Sequence, residues 1–232
     1  MGQRLYSDWS WIYCQDVFWD SSNCVHDSAS GFGSKFGTID AMMRDKKTIR
    51  RELSDAIAAM DQAVLAEKSR AICQAVAALD EFRDASVVML YLPIPGEVDT
   101  APLAEIAWQQ GKRVCCPKFC GDSRTMWPRE ILPHHACSFD TTHSLRSPAS
   151  TIGIPLAEID LVIVPAIAFD SACNRLGRGG GFYDCFLQQE KLRATTIGVG
   201  FSEQMCPKLP IEDHDTPLDA VVSDLAVFRR DQ

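Results

Sequence analysis

The first strongly patterned stretch of the chain runs from residue 43 to about 60. There Ile49, Leu53, Ile57 and Met60 recur at three- and four-residue steps and predict one buried face of a helix. Lys46 and Arg50, four residues apart, share a neighbouring face of it. Asp61 is suited to cap a second helix reaching about Phe82, with Leu65, Ile72, Val76 and Leu79 as its apolar stripe. Residues 86–91 form a short continuous apolar run, the pattern of a strand buried on both faces. A Pro- and Gly-containing turn over 92–100 leads into a helix that starts at Asp99 or Thr100 and stops at Gly111. Further strands are expected over 112–117, 125–129, 161–165 and 196–200, with 161–165 the clearest, and a helix over 181–192. Residues 130–158 are weakly patterned and are expected to be mostly loop. Strands that alternate with helices in this way indicate an α/β fold, a mostly parallel sheet with helices on both faces. Such sheets bind ligands beyond the carboxyl ends of their strands. The loops 92–100 and 165–184 occupy that position.

Composition narrows the class. A chain of 232 residues with 46% hydrophobic and 23% charged residues is an ordinary globular protein, long enough for one substantial core. That core is expected over 42–232. Residues 1–41 hold three of the five tryptophans and a Ser/Gly-rich tract without helical or strand period, and are expected to be a poorly ordered extension outside the catalytic domain. The formal net charge of −8 argues against a nucleic-acid binder, so any anionic ligand needs locally concentrated positive charge. No run approaches a membrane span, and no basic segment followed by an apolar one marks a signal peptide. A cytoplasmic monomer with no nucleic-acid or membrane partner is expected. The ten cysteines include no C-x-x-C pair. The cluster His134, His135, Cys137 and His143 has irregular spacing and reads as a polar surface loop rather than a metal site.

The segment 174–184, Asn-Arg-Leu-Gly-Arg-Gly-Gly-Gly-Phe-Tyr-Asp, concentrates the chemistry. Its four glycines let a backbone approach a ligand and present N–H groups, and its two arginines add charge-assisted donors. Phosphate suits such a loop, and Asp184 suits a Mg2+ ion bridging phosphate oxygens. The segment is neither a P-loop nor a dinucleotide fingerprint, because Gly-Lys-Ser/Thr is absent and Phe182 replaces the last glycine of G-x-G-x-x-G. Taken alone, it also fits a flexible glycine turn. In the same way Glu97 alone fits a first-turn helix carboxylate, Lys46 and Arg50 a solvated helix face, Asp215 a loop acid and Tyr91 a core residue.

Together with the segment 164–170, Val-Pro-Ala-Ile-Ala-Phe-Asp, this motif resembles the signature of the 5-formyltetrahydrofolate cyclo-ligase family. Residues 46–51, Lys-Lys-Thr-Ile-Arg-Arg, resemble that family's N-terminal ATP-contacting helix. The Gly96-Glu97-Val98-Asp99-Thr100 turn resembles its folate-binding turn, and 213–219 its late acidic element. The resemblance implies a three-layer α/β/α sandwich, in agreement with the alternation above. It implies ATP contacts from Lys46, Arg50 and the loop Arg175, Leu176, Gly177, Arg178, Gly179, Gly180, Gly181, Phe182 and Tyr183. It implies folate contacts from Leu92, Glu97, Arg178 and Phe182, catalytic roles for Arg178 and Tyr183, and Mg2+ held by Asp184 and Asp215. Some family members carry Lys at the position of Gly180 and many carry Tyr at that of Phe182.

The implied reaction is ATP-dependent cyclisation of 5-formyltetrahydrofolate to 5,10-methenyltetrahydrofolate. Two other classes stay open on the sequence alone. One is a folate- or nucleotide-binding regulator without turnover, the other a sugar-phosphate isomerase or CoA-transferase-like enzyme on a similar layered sheet.

Overall fold

The computed structural model describes residues 45–120, 124–133, 137–140 and 145–230. The extension 1–41 and the histidines 134, 135 and 143 lie outside the described residues. Cys137 is described only as part of a strand.

Helix α1, Lys46–Ala58, opens where the Asp45 carboxylate accepts a hydrogen bond from the Thr48 N–H, and it buries Ile49 and Ile57. Helix α2, Gln62–Ala77, is capped in the same way by Asp61 and buries Leu65, Ile72, Cys73 and Val76. The single helix expected to reach Phe82 is broken. Leu79 is extended and a new short helix, α3 (Asp80–Asp84), starts with two acidic residues that complement its dipole and turns Phe82 fully into the core. Helix α4, Ala101–Gln109, follows Thr100 as expected.

Seven strands form the main sheet: β1 Val87–Met89, β2 Arg113–Cys120, β3 Thr125–Ile131, β6 Leu161–Pro165, β9 Thr195–Val199, β11 Ala220–Val222 and β12 Val227–Arg229. Their order is β12-β11-β9-β6-β1-β2-β3. The five central strands run parallel, while β12 and β3 are antiparallel at the two edges. Strands β1, β6 and β11 are apolar without interruption because both faces are covered. Alternate strand residues serve two cores. Val88, Leu161, Ile163 and Ile197 pack with Ile72, Val76 and Leu103 of α2 and α4, whereas Met89, Val162, Val164 and Val221 pack with Phe169 and Phe186. The fold is thus α/β with a mostly parallel sheet, as the alternation predicts.

The second face is less helical than expected. Helix α5 spans only Phe182–Leu187, and beside it lies a three-stranded sheet in the order β10-β7-β8 (Met205–Cys206, Ala168–Asp170, Arg175–Leu176). Residues 130–158 also differ from a loop, since β4 (Cys137–Asp140) and β5 (Leu145–Pro148) pair as an antiparallel hairpin. These strands are two to four residues long and lack an apolar run, so periodicity carries no signal for them.

The direction of strand order reverses between β1 and β6. From β1 the chain fills the sheet toward β2 and β3, and from β6 toward β9 and β11. A crevice opens at such a switch point, outside the carboxyl ends of the strands.

Candidate active site

A cavity of about 1240 Å³ occupies that position. Tyr91 and Leu92 line it from the end of β1, Phe119 from the end of β2, and Pro165 and Ala166 from the end of β6. Asp45, Lys46, Lys47 and Arg50 enter from the start of α1, residues 175–184 form one wall, and residues 208–212 with His214 and Asp215 form another. Each of Lys46, Arg50, Leu92, Glu97, Arg175 to Asp184 and Asp215 therefore borders a single space, although Lys46 and Asp215 are 169 positions apart.

The walls are held by a carboxylate that the sequence pattern did not single out. Asp170, 2% exposed, closes the β7–β8 turn by accepting from the Ala172 and Asn174 N–H groups and from Asn174 Nδ2. Its second oxygen also accepts from the Leu209 N–H at 3.0 Å, which ties the 208–212 wall to the glycine segment. One buried acid with four donors thus sets the relative position of two walls. Within the glycine segment, Gly179 and Gly181 adopt left-handed φ values of 95° and 68°, which residues with a Cβ rarely take. A Cβ on Gly179 would stand 3.8 Å from the Arg50 guanidinium, so the bare backbone there leaves room beside a cation. Arg50 Nε donates to the Gly177 carbonyl at 2.8 Å and fixes the loop against α1.

Charge in the cavity is arranged as three facing pairs. Lys46 Nζ lies 2.7 Å from Asp215 Oδ2 and 3.4 Å from Glu212 Oε1. Arg175 Nη2 lies 2.5 Å from Asp184 Oδ1, with the arginine side chain only 4% exposed. Arg178 Nε lies 3.2 Å from Glu97 Oε1, with Arg178 47% and Glu97 10% exposed. Burial pushes the Glu97 carboxyl above the usual range, while Arg178 and the Ile94 N–H pull against it. Burial also depresses the Arg175 guanidinium, with Asp184 opposing. For Asp215 burial works upward, but Lys46 and the Glu212 N–H outweigh it and leave the carboxyl below its ordinary value. Tyr183 stacks near the Arg175 guanidinium at 5.9 Å, and burial pushes its phenol well above the usual range. The Tyr183 hydroxyl and Arg175 Nε are buried with no hydrogen-bond partner among the described residues. Buried polar atoms are seldom left so.

Phe119 and Phe182, edge to face with centroids 5.3 Å apart, and Leu92 and Ile94 give the cavity its apolar lining. Phe119 and the 208–211 segment were not expected from the sequence. Phe119 stands at the carboxyl end of β2, and the switch-point rule applied to that strand as well would have found it. Tyr91, expected as core, is 3% exposed and also borders the cavity, its hydroxyl donating to the Val98 carbonyl at 2.8 Å.

This cavity joins a cation-rich glycine loop to an apolar, aromatic pocket with one buried acid. Against known families, residues 42–224 match the model of the 5-formyltetrahydrofolate cyclo-ligase family. The chain belongs to that family.

Its curated relatives include the 5-formyltetrahydrofolate cyclo-ligase of Escherichia coli K12, 36% identical over 62% of this chain and 81% of the relative. The mouse 5-formyltetrahydrofolate cyclo-ligase is 26% identical over 76% of this chain and 92% of the relative. Among solved structures, the 5,10-methenyltetrahydrofolate synthetase of Aquifex aeolicus aligns with a TM-score of 0.70 and 26% identity, over 81% of this chain and 94% of that one. As a cyclo-ligase family member the chain is an enzyme of the ligase class. Among the described residues no helix is long and apolar enough to cross a membrane.

Proposed function

We propose that the chain closes 5-formyltetrahydrofolate to 5,10-methenyltetrahydrofolate with conversion of ATP to ADP and phosphate. The observation that carries this reading is that one cavity joins Lys46, Arg50, Arg175 and Arg178 around a glycine loop to an aromatic pocket with a buried carboxylate. Those are the features needed for a polyphosphate and a flat, hydrogen-bonding heterocycle held side by side. In this assignment Lys46, Arg50, Arg175 and the backbone of 177–181 bind phosphate. Glu97 accepts from the pterin N–H groups, and Leu92 and Phe182 pack on its ring. Arg178 lies where phosphate and formyl group meet.

The formyl oxygen attacks the terminal phosphorus, ADP leaves, N10 attacks the activated carbon and loses its proton, and inorganic phosphate departs. Phosphorylation matters because an amide-like formyl oxygen is a poor leaving group. The residues contribute positioning and charge neutralisation and no covalent nucleophile. Tyr183, with its hydroxyl unmet, is placed to donate to a developing negative charge.

A Mg2+ ion is compatible with the donor set. Asp184 and Asp215 each commit one oxygen to a cation, and Mg2+ is usually held by one or two carboxylates with substrate phosphates completing the sphere. No group of three or more His, Cys, Asp or Glu side chains suited to a metal occurs among the described residues, so phosphate oxygens would have to supply the rest. Bound there, the ion would neutralise charge on the transferred phosphoryl group. A cytoplasmic monomer whose catalytic domain starts near Met42 completes the proposal.

The deciding experiment incubates the protein with 5-formyltetrahydrofolate and MgATP and follows the methenyl product by absorbance. Product formation that needs ATP supports the reading. ATP-independent binding of folate without product would favour a non-catalytic module instead.

A further inference from the structure

Of the three ion pairs of the cavity, one joins groups assigned to different ligands. Arg178 is assigned to the junction of phosphate and formyl group and Glu97 to the folate ring, yet the two hold each other at 3.2 Å. A folate N–H group that takes Glu97 Oε1 displaces Arg178 from it, and a phosphate that draws the guanidinium toward the loop breaks the same bond. We propose that the Arg178–Glu97 contact is a coupling device, through which phosphate bound at the glycine loop and folate bound at Glu97 each strengthen the binding of the other. The inference rests on the cyclo-ligase reading of the site.

The argument is one of linkage. If folate binds alone, it must displace Arg178 from Glu97, and the guanidinium loses an ionic partner. If the polyphosphate binds alone and draws Arg178 to itself, Glu97 is left 10% exposed with only the Ile94 N–H as donor, a poor state for a carboxylate. When both bind, phosphate takes Arg178 and the folate N–H groups take Glu97. The bond is broken once and both groups regain partners, so the second ligand binds more tightly than it would alone. Arg178 is built to move between the two positions. It is about half exposed, it sits on the loop beside Gly177 and Gly179, and among the described residues its one ion pair is to Glu97. The other two pairs lack this property, because Lys46–Asp215 and Arg175–Asp184 each lie wholly at the phosphate end of the assignment.

The sign of the effect is diagnostic. A polyphosphate and a folate are both anions, so simple repulsion between them makes each weaken the other. The Arg178–Glu97 exchange makes each strengthen the other.

Calorimetric titration tests it. The affinity for 5-formyltetrahydrofolate is measured with and without a saturating, non-hydrolysable MgATP analogue, and the analogue's affinity with and without folate. The expected coupling is about tenfold in each direction, and linkage requires the two factors to be equal. Arg178→Ala is expected to bring the factor to one or below. Lys46→Ala is expected to weaken the analogue but to keep the coupling. A wild-type factor at or below one overturns the proposal whatever the variants do, and leaves the cyclo-ligase reading intact if both ligands bind. Retention of coupling in Arg178→Ala, or its loss in Lys46→Ala, also overturns it. Failure of either ligand to bind the wild-type chain removes both the reading and the coupling.

Discussion

Two lysines on the first two helices look alike and serve different ends. Lys46 on α1 and Lys68 on α2 are each 19% exposed, and each pairs with acids far along the chain. Lys68 is saturated. Its ammonium donates to Ser202 Oγ and both Glu203 oxygens at 2.7 to 2.9 Å and lies 3.0 Å from Asp224 Oδ2. It does not line the active-site cavity, and Ser202 in turn donates to Asp224. Among the described residues Lys46 has one hydrogen bond, to Asp215, with Glu212 at 3.4 Å, and it lines the cavity. Exposure does not separate the two; the number of donors left over and the presence of open space do. A saturated cluster staples helix to sheet, whereas an undersaturated one beside a cavity can exchange its partner for a ligand.

The sharpest break of this comparison comes from the cavity side. Asp184→Asn removes the carboxylate facing Arg175 and a proposed metal ligand, while the amide oxygen can still accept from the guanidinium. Turnover is expected to fall about a thousandfold, equivalent to about 4 kcal/mol of transition-state stabilisation. The chain should still fold, with a lowered unfolding temperature because Arg175, 4% exposed, keeps an acceptor but loses its counter-charge, and added Mg2+ should not restore the rate. A rate near the starting value at saturating Mg2+ sinks the metal assignment.

Next in size is Glu97→Gln. It replaces an acceptor by a group with a donor, so a charge-assisted bond to the folate ring is lost with its partner buried. That costs about 2 to 3 kcal/mol, or roughly 30- to 150-fold in folate affinity by calorimetry. The intrinsic ATP affinity should change far less. Equal losses for both ligands contradict the division of the cavity into phosphate and pterin ends.

The two lysines provide the direct contrast. Lys68→Met should lower unfolding stability by about 2 kcal/mol, because Asp224 at 8% exposure is left without its cation, and kcat/KM should hold within about twofold. The cluster raises the Lys68 pKa, with burial opposing and Glu203 and Asp224 prevailing, and it lowers those of Glu203 and Asp224. A raised ammonium pKa stabilises below its ordinary 10.5 and is lost as pH rises through the folded value. Lowered carboxyl pKa values stabilise above 4.5 and 3.8 and are lost as pH falls through theirs. The stability gap between wild type and Lys68→Met should therefore be full between about pH 4.5 and 10.5 and shrink on either side. Lys46→Ala should do the reverse, raising KM for ATP about tenfold with little loss of stability. If Lys46→Ala unfolds the chain while Lys68→Met impairs turnover, the comparison fails.

The smallest effect is expected from removing residues 1–41. A chain beginning at Met42 should fold and turn over like the full one, because the family match begins at residue 42 and no motif precedes it. Loss of folded protein would assign the segment a structural role.

Local order in the chain announced itself where one element supplied all the signal. The apolar face of α1, the run Leu161–Pro165 and the glycines of 174–184 are each readable from consecutive residues, because helical period, burial on two faces and backbone freedom are local properties. The grouping of Lys46, Glu97, Arg178 and Asp215 followed from resemblance to a family and not from any local rule. Which of them touch was decided only by folding. Arg178 reaches Glu97 across 81 positions and Lys46 reaches Asp215 across 169, and no periodicity encodes such separations. The same holds for Asp170, an unremarkable strand-end acid until Leu209, 39 positions on, gives it a fourth donor. The short strands β7, β8, β10, β11 and β12 are two or three residues long; β10 pairs with β7 and β11 with β9 across long stretches of chain, while β8 and β12 are held only by the strands just before them. Residue types and their local pattern determined the sheet, the loop and the family of this protein. The partner of each charge, and with it the line between a staple and a site, depended on what the packed sheet brought within 3 Å.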